Sequence, residues 1–186
     1  MIETKDFSKG AKLEIDGYPF EIVSYEHVKP GKGNAFVRTK LKNLKNGNVI
    51  ERTYKSGTKV KKADVIESSM QYLYQDKGEF YFMDNTSFEQ VAVSEDIVGD
   101  AKFFLKENDN VDVLFFNGDP IGVNLPKTVV MEIIKTPPGF KGDTNTGGKP
   151  ATIETGATIQ VPFFIKEGDK IKIDTRTKAY IERVNK

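Results

Sequence analysis

The chain has no cysteine and no tryptophan, and His27 is its single histidine. Without cysteine there is no disulfide, thiolate metal site or cysteine nucleophile. One imidazole excludes a multi-histidine metal centre, and a Ser-His-Asp triad would have to be built on His27. That residue lies beside Val28 and a glycine-rich stretch and is read as an ordinary strand residue. No apolar run approaches the ~18 residues needed to span a bilayer. The opening MIETKDFSKG carries acidic residues and lacks the apolar core of a secretory signal. A cytoplasmic protein with no membrane partner and no metal is expected.

What is present is an ordinary globular composition of 186 residues, 38% apolar and 30% charged. The net charge of +1 conceals a polarity along the chain. Residues 1–64 carry 14 Lys/Arg against 8 Asp/Glu, residues 65–126 carry 3 against 12, and residues 127–186 carry 11 against 7. Two basic ends suited to a phosphate backbone flank an acidic middle suited to a basic protein or to solvent.

Self-comparison divides the chain. LKENDNVDVLFFNGDPIGV (105–123) aligns with IKEGDKIKIDTRTKAYIERV (165–184), with Glu107 on Glu167, Asp109 on Asp169 and Val111/Val113 on Ile171/Ile173. Two copies of one small β-fold follow from that match. The first third is also β-rich. KLEID alternates, Gly17 turns the chain, and Tyr18, Phe20 and Ile22 fall on one face of the next strand. VRTKLKNL and NVIERTYK form a hairpin across Asn46-Gly47. The spacing predicts a helix over 94–107, with Ser94 as its cap and Gly99 as its weak point. The reading is all-β, in three modules over 1–64, 65–126 and 127–186. Phe80, Tyr81, Phe82, Phe103, Phe104, Phe115 and Phe116 are expected to fill the middle module's core and its border.

Two stretches approach phosphate-binding motifs and fail. In GDTNTGGKPAT five residues, not four, separate Gly142 from Gly148-Lys149, and Pro150 stands where a Walker loop needs Ser or Thr for magnesium. In GKGNAF, Phe36 replaces the third glycine of a dinucleotide loop. Nucleotide hydrolysis is not expected. HVKPGKGNAFVRTK poses a different question, because Lys32 stands between Gly31 and Gly33 with no bulky neighbour. Pro30 pushes Lys29 toward extended structure, Gly31 suits the positive φ of a type II turn, and Gly33 and Asn34 tolerate left-handed backbone. Lys32 would then project from a hairpin tip, and the spacing fits either a solvated side chain or one that enters spaces closed to a bulkier loop.

KPGKGNAFVRTKLKNLKNG resembles the signature loop and hairpin of the bacterial elongation factor P family. ADVIESSMQYLYQDKGEFYFMDNTSFEQ is similar to the start of that family's second domain, and PPGFKGDTNTGGKPATIETGATIQVPFFIKEGDKIKIDTRTKAYIERV to its third. The resemblance implies an L-shaped, tRNA-like monomer with an N-terminal SH3-like (KOW-type) barrel and two OB-fold barrels. It implies a non-enzymatic translation factor that binds the 70S ribosome, on both subunits, between the peptidyl and exit sites and relieves stalling at consecutive prolines. Lys32 matches the tip residue that many members extend covalently through a lysine-modifying enzyme; no other cofactor is implied. Lys29, Pro30, Gly31, Gly33 and Asn34 would shape that tip near the CCA end of peptidyl-tRNA. Gly142, Asp143 and Thr144 match a loop near the small subunit and the exit-site codon. Arg38, Lys40, Lys42 and Arg52 are candidates for ribosomal RNA backbone, and the acidic middle for a basic ribosomal protein beside the exit site. The competing reading is a generic OB-fold binder of single-stranded nucleic acid.

Overall fold

Residues 1–139 and 148–185 are described in the computed structural model. They divide into two compact units, one of Met1–Ser68 with Val113–Gly122 and one of Ser69–Asp112 with Val123–Lys186. In chain order the strands are β1 (Ile2–Glu3), β2 (Lys12–Ile15), β3 (Tyr18–Val28), β4 (Phe36–Asn43), β5 (Val49–Lys55), β6 (Lys59–Val60), β7 (Val65–Asp76) and β8 (Glu79–Asp84). They continue as β9 (Gln90–Ser94), β10 (Asn110–Phe116), β11 (Asp119–Asn124), β12 (Thr128–Lys135), β13 (Lys149–Ile153), β14 (Thr158–Val161), β15 (Lys170–Asp174) and β16 (Ala179–Arg183).

In the first unit β2-β3-β4-β5 form an antiparallel meander, and β1 pairs with β6. Strict alternation along β4 turns Val37, Thr39, Leu41 and Asn43 inward and leaves Arg38, Lys40 and Lys42 outside. Val37 and Leu41 meet Leu13, Phe20 and Ile22 in the core. Tyr18 departs from its expected face: it is exposed, and the Lys45 ammonium lies 5.6 Å from its ring centre. The turn from β2 into β3 takes left-handed backbone at Asp16 and Gly17, the preference of a tight Asp-Gly hairpin.

The two further five-stranded sheets run β11-β10-β7-β8-β9 and β14-β13-β12-β15-β16. They bear out the internal repeat bond by bond. Asp109 accepts from the Lys106 N–H through its side chain and donates its own N–H to the Lys106 carbonyl, and Asp169 does the same with Lys166. The Asp109 carbonyl then receives Tyr72 N–H, and the Asp169 carbonyl receives Ile133 N–H, each at 2.8 Å. Asn108 and Gly168 hold the same left-handed position in the two copies.

The long helix expected over 94–107 does not form. Ser94 caps a single turn, Glu95–Val98, through the Ile97 N–H, and Gly99 at φ 58 interrupts the ladder before a 3₁₀ segment, Gly99–Phe104. Ile97 is consequently exposed while Val98 and Phe104 are buried, so the helical spacing read from the sequence describes no common face. Phe104 packs with Met131, Ile133, Ile153, Ile165, Ile171 and Ile173. Phe80 and Phe82 are buried against Tyr72, and Phe116 lies with Ala63, Leu114 and Ile121.

One turn recurs three times among the described residues. Asn43, Asp84 and Asp174 each accept, through one side-chain oxygen, the N–H groups two and three residues on. Their carbonyls accept from the fourth residue on, which is left-handed in each case: Gly47, Phe88 and Lys178. The N–H donors hold the Asp84 and Asp174 carboxyls below the ordinary carboxylate range. Asn43 makes the same turn without a titrating group. The β4–β5 hairpin is therefore as expected, but its turn is this longer one rather than a two-residue Asn-Gly turn.

Candidate functional site

β3 and β4 pair without interruption from Ser24↔Lys40 to Val28↔Phe36, and an irregularity between Ile22 and Ser24 marks where the strand pair leaves the core. Beyond Val28 the chain makes a seven-residue excursion, Lys29–Ala35, before re-entering the sheet. The Ala35 carbonyl accepts from Ser56 N–H at 3.1 Å and fixes the base of the loop on the β5 side. Among the described residues, 29–34 make no hydrogen bond or ion pair. All six are exposed, and the Lys32 ammonium has no partner among the described residues.

The backbone turns here differently from expectation. Gly33, not Gly31, takes the left-handed conformation, at φ 109, and Gly31 does not require it. A side chain at Gly31 would meet nothing within 4 Å, and one at Gly33 would come 3.8 Å from Pro30 Cγ. Glycine at 33 is thus demanded by the dihedral, whereas at 31 it leaves the approach to Lys32 bare.

The candidate RNA-binding cations separate by face. Arg38, Lys40 and Lys42 line the outer face of β4. Arg38 Nη1 stands 4.0 Å from Glu26 Oε2, and Lys40 Nζ 3.9 Å from Glu51 Oε1. Such exposed pairs contribute little and are readily exchanged for phosphate contacts. Lys42 and Lys29 have no ion-pair partner among the described residues. Arg52 does not join them. It pairs with Thr39, whose side chain is buried, so it belongs to the opposite face, with its guanidinium 5.7 Å from the Tyr54 ring centre. Thr39 is satisfied by donating to the Arg52 carbonyl at 2.7 Å. The sequence reading missed Lys55, which faces Phe36 across the β4–β5 ladder at the same end of the sheet as the loop. Counting outward from the Asn46-Gly47 turn would have found it.

The second candidate region is described only at its edges. Gly142, Asp143 and Thr144 lie outside the described residues. Lys149 is 5% exposed and its Nζ donates to the Pro137 carbonyl at 2.6 Å. It is a structural cation committed inside the module, which removes the phosphate-loop reading of that stretch. Gly148 at φ 74 packs so closely that a Cβ there would collide with the Val161 carbonyl. No cluster of three or more His, Cys, Asp or Glu side chains able to hold a metal occurs among the described residues, and no helix among them is long and apolar enough to cross a membrane.

Three family models match in succession: "Elongation factor P (EF-P) KOW-like domain" over residues 3–60, "Elongation factor P (EF-P) OB domain" over 65–123, and "Elongation factor P, C-terminal" over 129–183. Among curated proteins, elongation factor P of Desulfitobacterium hafniense (strain DSM 10664 / DCB-2) is 54% identical over 184 residues, 98% of this chain and 100% of that protein. Elongation factor P of Pelotomaculum thermopropionicum is 52% identical over 185 residues, 99% of this chain and 100% of its own. Among solved structures, "Eukaryotic translation initiation factor 5A from Methanococcus jannaschii" superposes with a TM-score of 0.53 over 64% of this chain and 88% of its own, at 23% identity, a likeness of fold.

A KOW-like barrel bearing a lysine on an unbonded loop, followed by OB-type barrels, defines a multi-barrel translation factor. The chain belongs to the elongation factor P family. An elongation factor implies a ribosome-associated role.

Proposed function

We propose that the chain binds the ribosome between the peptidyl and exit sites and brings the Lys32 loop to the CCA end of peptidyl-tRNA, relieving stalling at consecutive prolines. The observation that carries this reading is the isolation of Lys32, unpartnered on a loop with no internal hydrogen bond. A side chain that contributes nothing to its own fold is free to contribute to another surface. Proline is a slow participant in peptide bond formation because its ring restricts the geometry of approach. Holding peptidyl-tRNA in a productive pose answers that restriction by positioning alone, so the bond-forming chemistry stays with the ribosome. Lys29, Lys32 and the outer face of β4 would meet tRNA and ribosomal RNA backbone, with Pro30, Gly31, Gly33 and Asn34 shaping the tip. The segment Gly142–Thr144 would lie near the small subunit, and the acidic middle module would face a basic ribosomal protein. We retain 1–64, 65–126 and 127–186 as the functional modules. Covalent extension of Lys32 by a lysine-modifying enzyme would lengthen the reach of the amine, in a cytoplasmic protein.

The test is binding to ribosomes carrying peptidyl-tRNA and to empty ribosomes, with the mass of the Lys32 peptide from natively produced protein measured alongside. Preference for the loaded ribosome is expected. Equal binding to both, with salt-sensitive binding to free oligonucleotides, would instead support a generic single-strand binder. An adduct located on Lys32 would identify the extension, and a bare lysine would leave the function to the unextended amine.

A further inference from the structure

Phe88 occupies the left-handed position of the recurring turn, at φ 63, and is 69% exposed. The equivalent positions hold Gly47, for which that backbone is unstrained, and Lys178, whose long polar chain is at home in water. An aromatic residue at positive φ is a conformational outlier. Here it gains no compensation inside the molecule, since Phe88 belongs to no buried cluster among the described residues. The most exposed phenylalanine among the described residues thus stands where glycine would be unstrained.

The turn that carries it is firmly held. Asp84 caps the Thr86 and Ser87 N–H groups at 2.7 and 2.9 Å, and Asp84 O accepts Phe88 N–H at 2.9 Å. Asn85 is tied to β7 and β10, its Nδ2 donating to Ser69 Oγ and to Asn110 Oδ1 at 3.1 Å each, and its N–H to the Ser69 carbonyl. A ring displayed on a pre-organised turn loses little freedom on docking, which is the property of an interface anchor. Charge selects the partner. Glu89 follows directly, Asp84 stays ionised, and residues 65–126 hold 12 acidic against 3 basic residues. A tip that carries these two carboxylates repels a phosphate backbone and attracts cations.

We propose that Phe88 anchors the β8–β9 tip in an apolar recess on a cationic protein surface, with Asp84 and Glu89 meeting Lys or Arg at its rim. Resting on the function proposed above, that partner is a basic ribosomal protein.

The test combines Phe88→Gly with a photo-crosslinking phenylalanine analogue at position 88, using the full chain and ribosomes carrying peptidyl-tRNA. Phe88→Gly is expected to raise Tm, because it relieves the backbone, and yet to weaken ribosome affinity about tenfold, the scale of a lost anchor. The crosslink is expected on a ribosomal protein. A lowered Tm would mean that Phe88 serves the fold and would overturn the inference. Unchanged affinity, or a crosslink to ribosomal RNA or to a second copy of the chain, would overturn it while leaving the proposed function standing. Failure of the unaltered chain to bind loaded ribosomes would overturn both.

Discussion

The two ends of β4 are built on opposite principles. At its C-terminal end the chain reverses through Asn43, whose side chain caps Lys45 and Asn46, while main-chain bonds tie Asn43 to Asn48 and Gly47, and Leu44 to Pro19. At its N-terminal end residues 29–34 have no such bonds among the described residues, where the loop is fixed by the strand register and the bond at Ala35. One end supplies stability to the barrel; the other takes stability from it. The lesson is that an exposed segment with no internal satisfaction, mounted on a well-paired hairpin, is where a surface is offered to something else.

The most drastic way to break this contrast is to replace residues 29–35 by a two-residue Asn-Gly turn. Tm should rise, because a short turn orders fewer residues, while stimulation of diproline synthesis should disappear. A lower Tm, read by thermal melting, would show that the loop supports the barrel after all. Asn43→Ala makes the reverse cut. It leaves two N–H groups uncapped and should cost about 1–2 kcal/mol by urea unfolding, the scale of a lost cap, with stimulation per folded molecule intact.

Replacing Asp174 sharpens the comparison of the three turns. Its folded pKa is depressed by the Thr177 and Arg176 N–H groups. Its stabilisation is therefore complete above the unfolded carboxylate value of about 4 and is lost as pH falls through the folded one. Asp174→Asn keeps an acceptor, as Asn43 does, but has nothing to titrate. Its Tm should lie slightly below that of the unaltered chain at neutral pH and converge with it in acid; parallel curves would contradict the assignment. The smallest effect is expected at Tyr54, whose shielded hydroxyl has no hydrogen-bond partner within the described chain and whose pKa is raised by burial. Tyr54→Phe should leave Tm equal or raise it by a degree or two, since it removes an unsatisfied polar atom.

Much of this was legible in the sequence because it is governed by local periodicity. The runs VRTKLKNL and NVIERTYK around Asn46-Gly47 disclosed the β4–β5 hairpin, and the Asp109/Asp169 match disclosed two copies that agree down to individual bonds. The errors arose where one dihedral decides. Gly99 broke a helix that spacing favoured, and the left-handed turn fell on Gly33 rather than Gly31, which both residues tolerate equally well on paper. Arg52 was grouped with Arg38, Lys40 and Lys42, from which the register separates it, because composition records charge and not register, and the same register would have supplied Lys55. Phe88 left no trace in periodicity, since its anomaly is a backbone angle.

The central claim, that Lys32 acts outside the fold, is tested most directly by Lys32→Ala with two readings on one preparation: Tm and the rate of diproline bond formation on ribosomes. The account predicts an unchanged Tm and a rate reduced to that of ribosomes without the factor. A variant that stimulates diproline synthesis as well as the unaltered chain would contradict it.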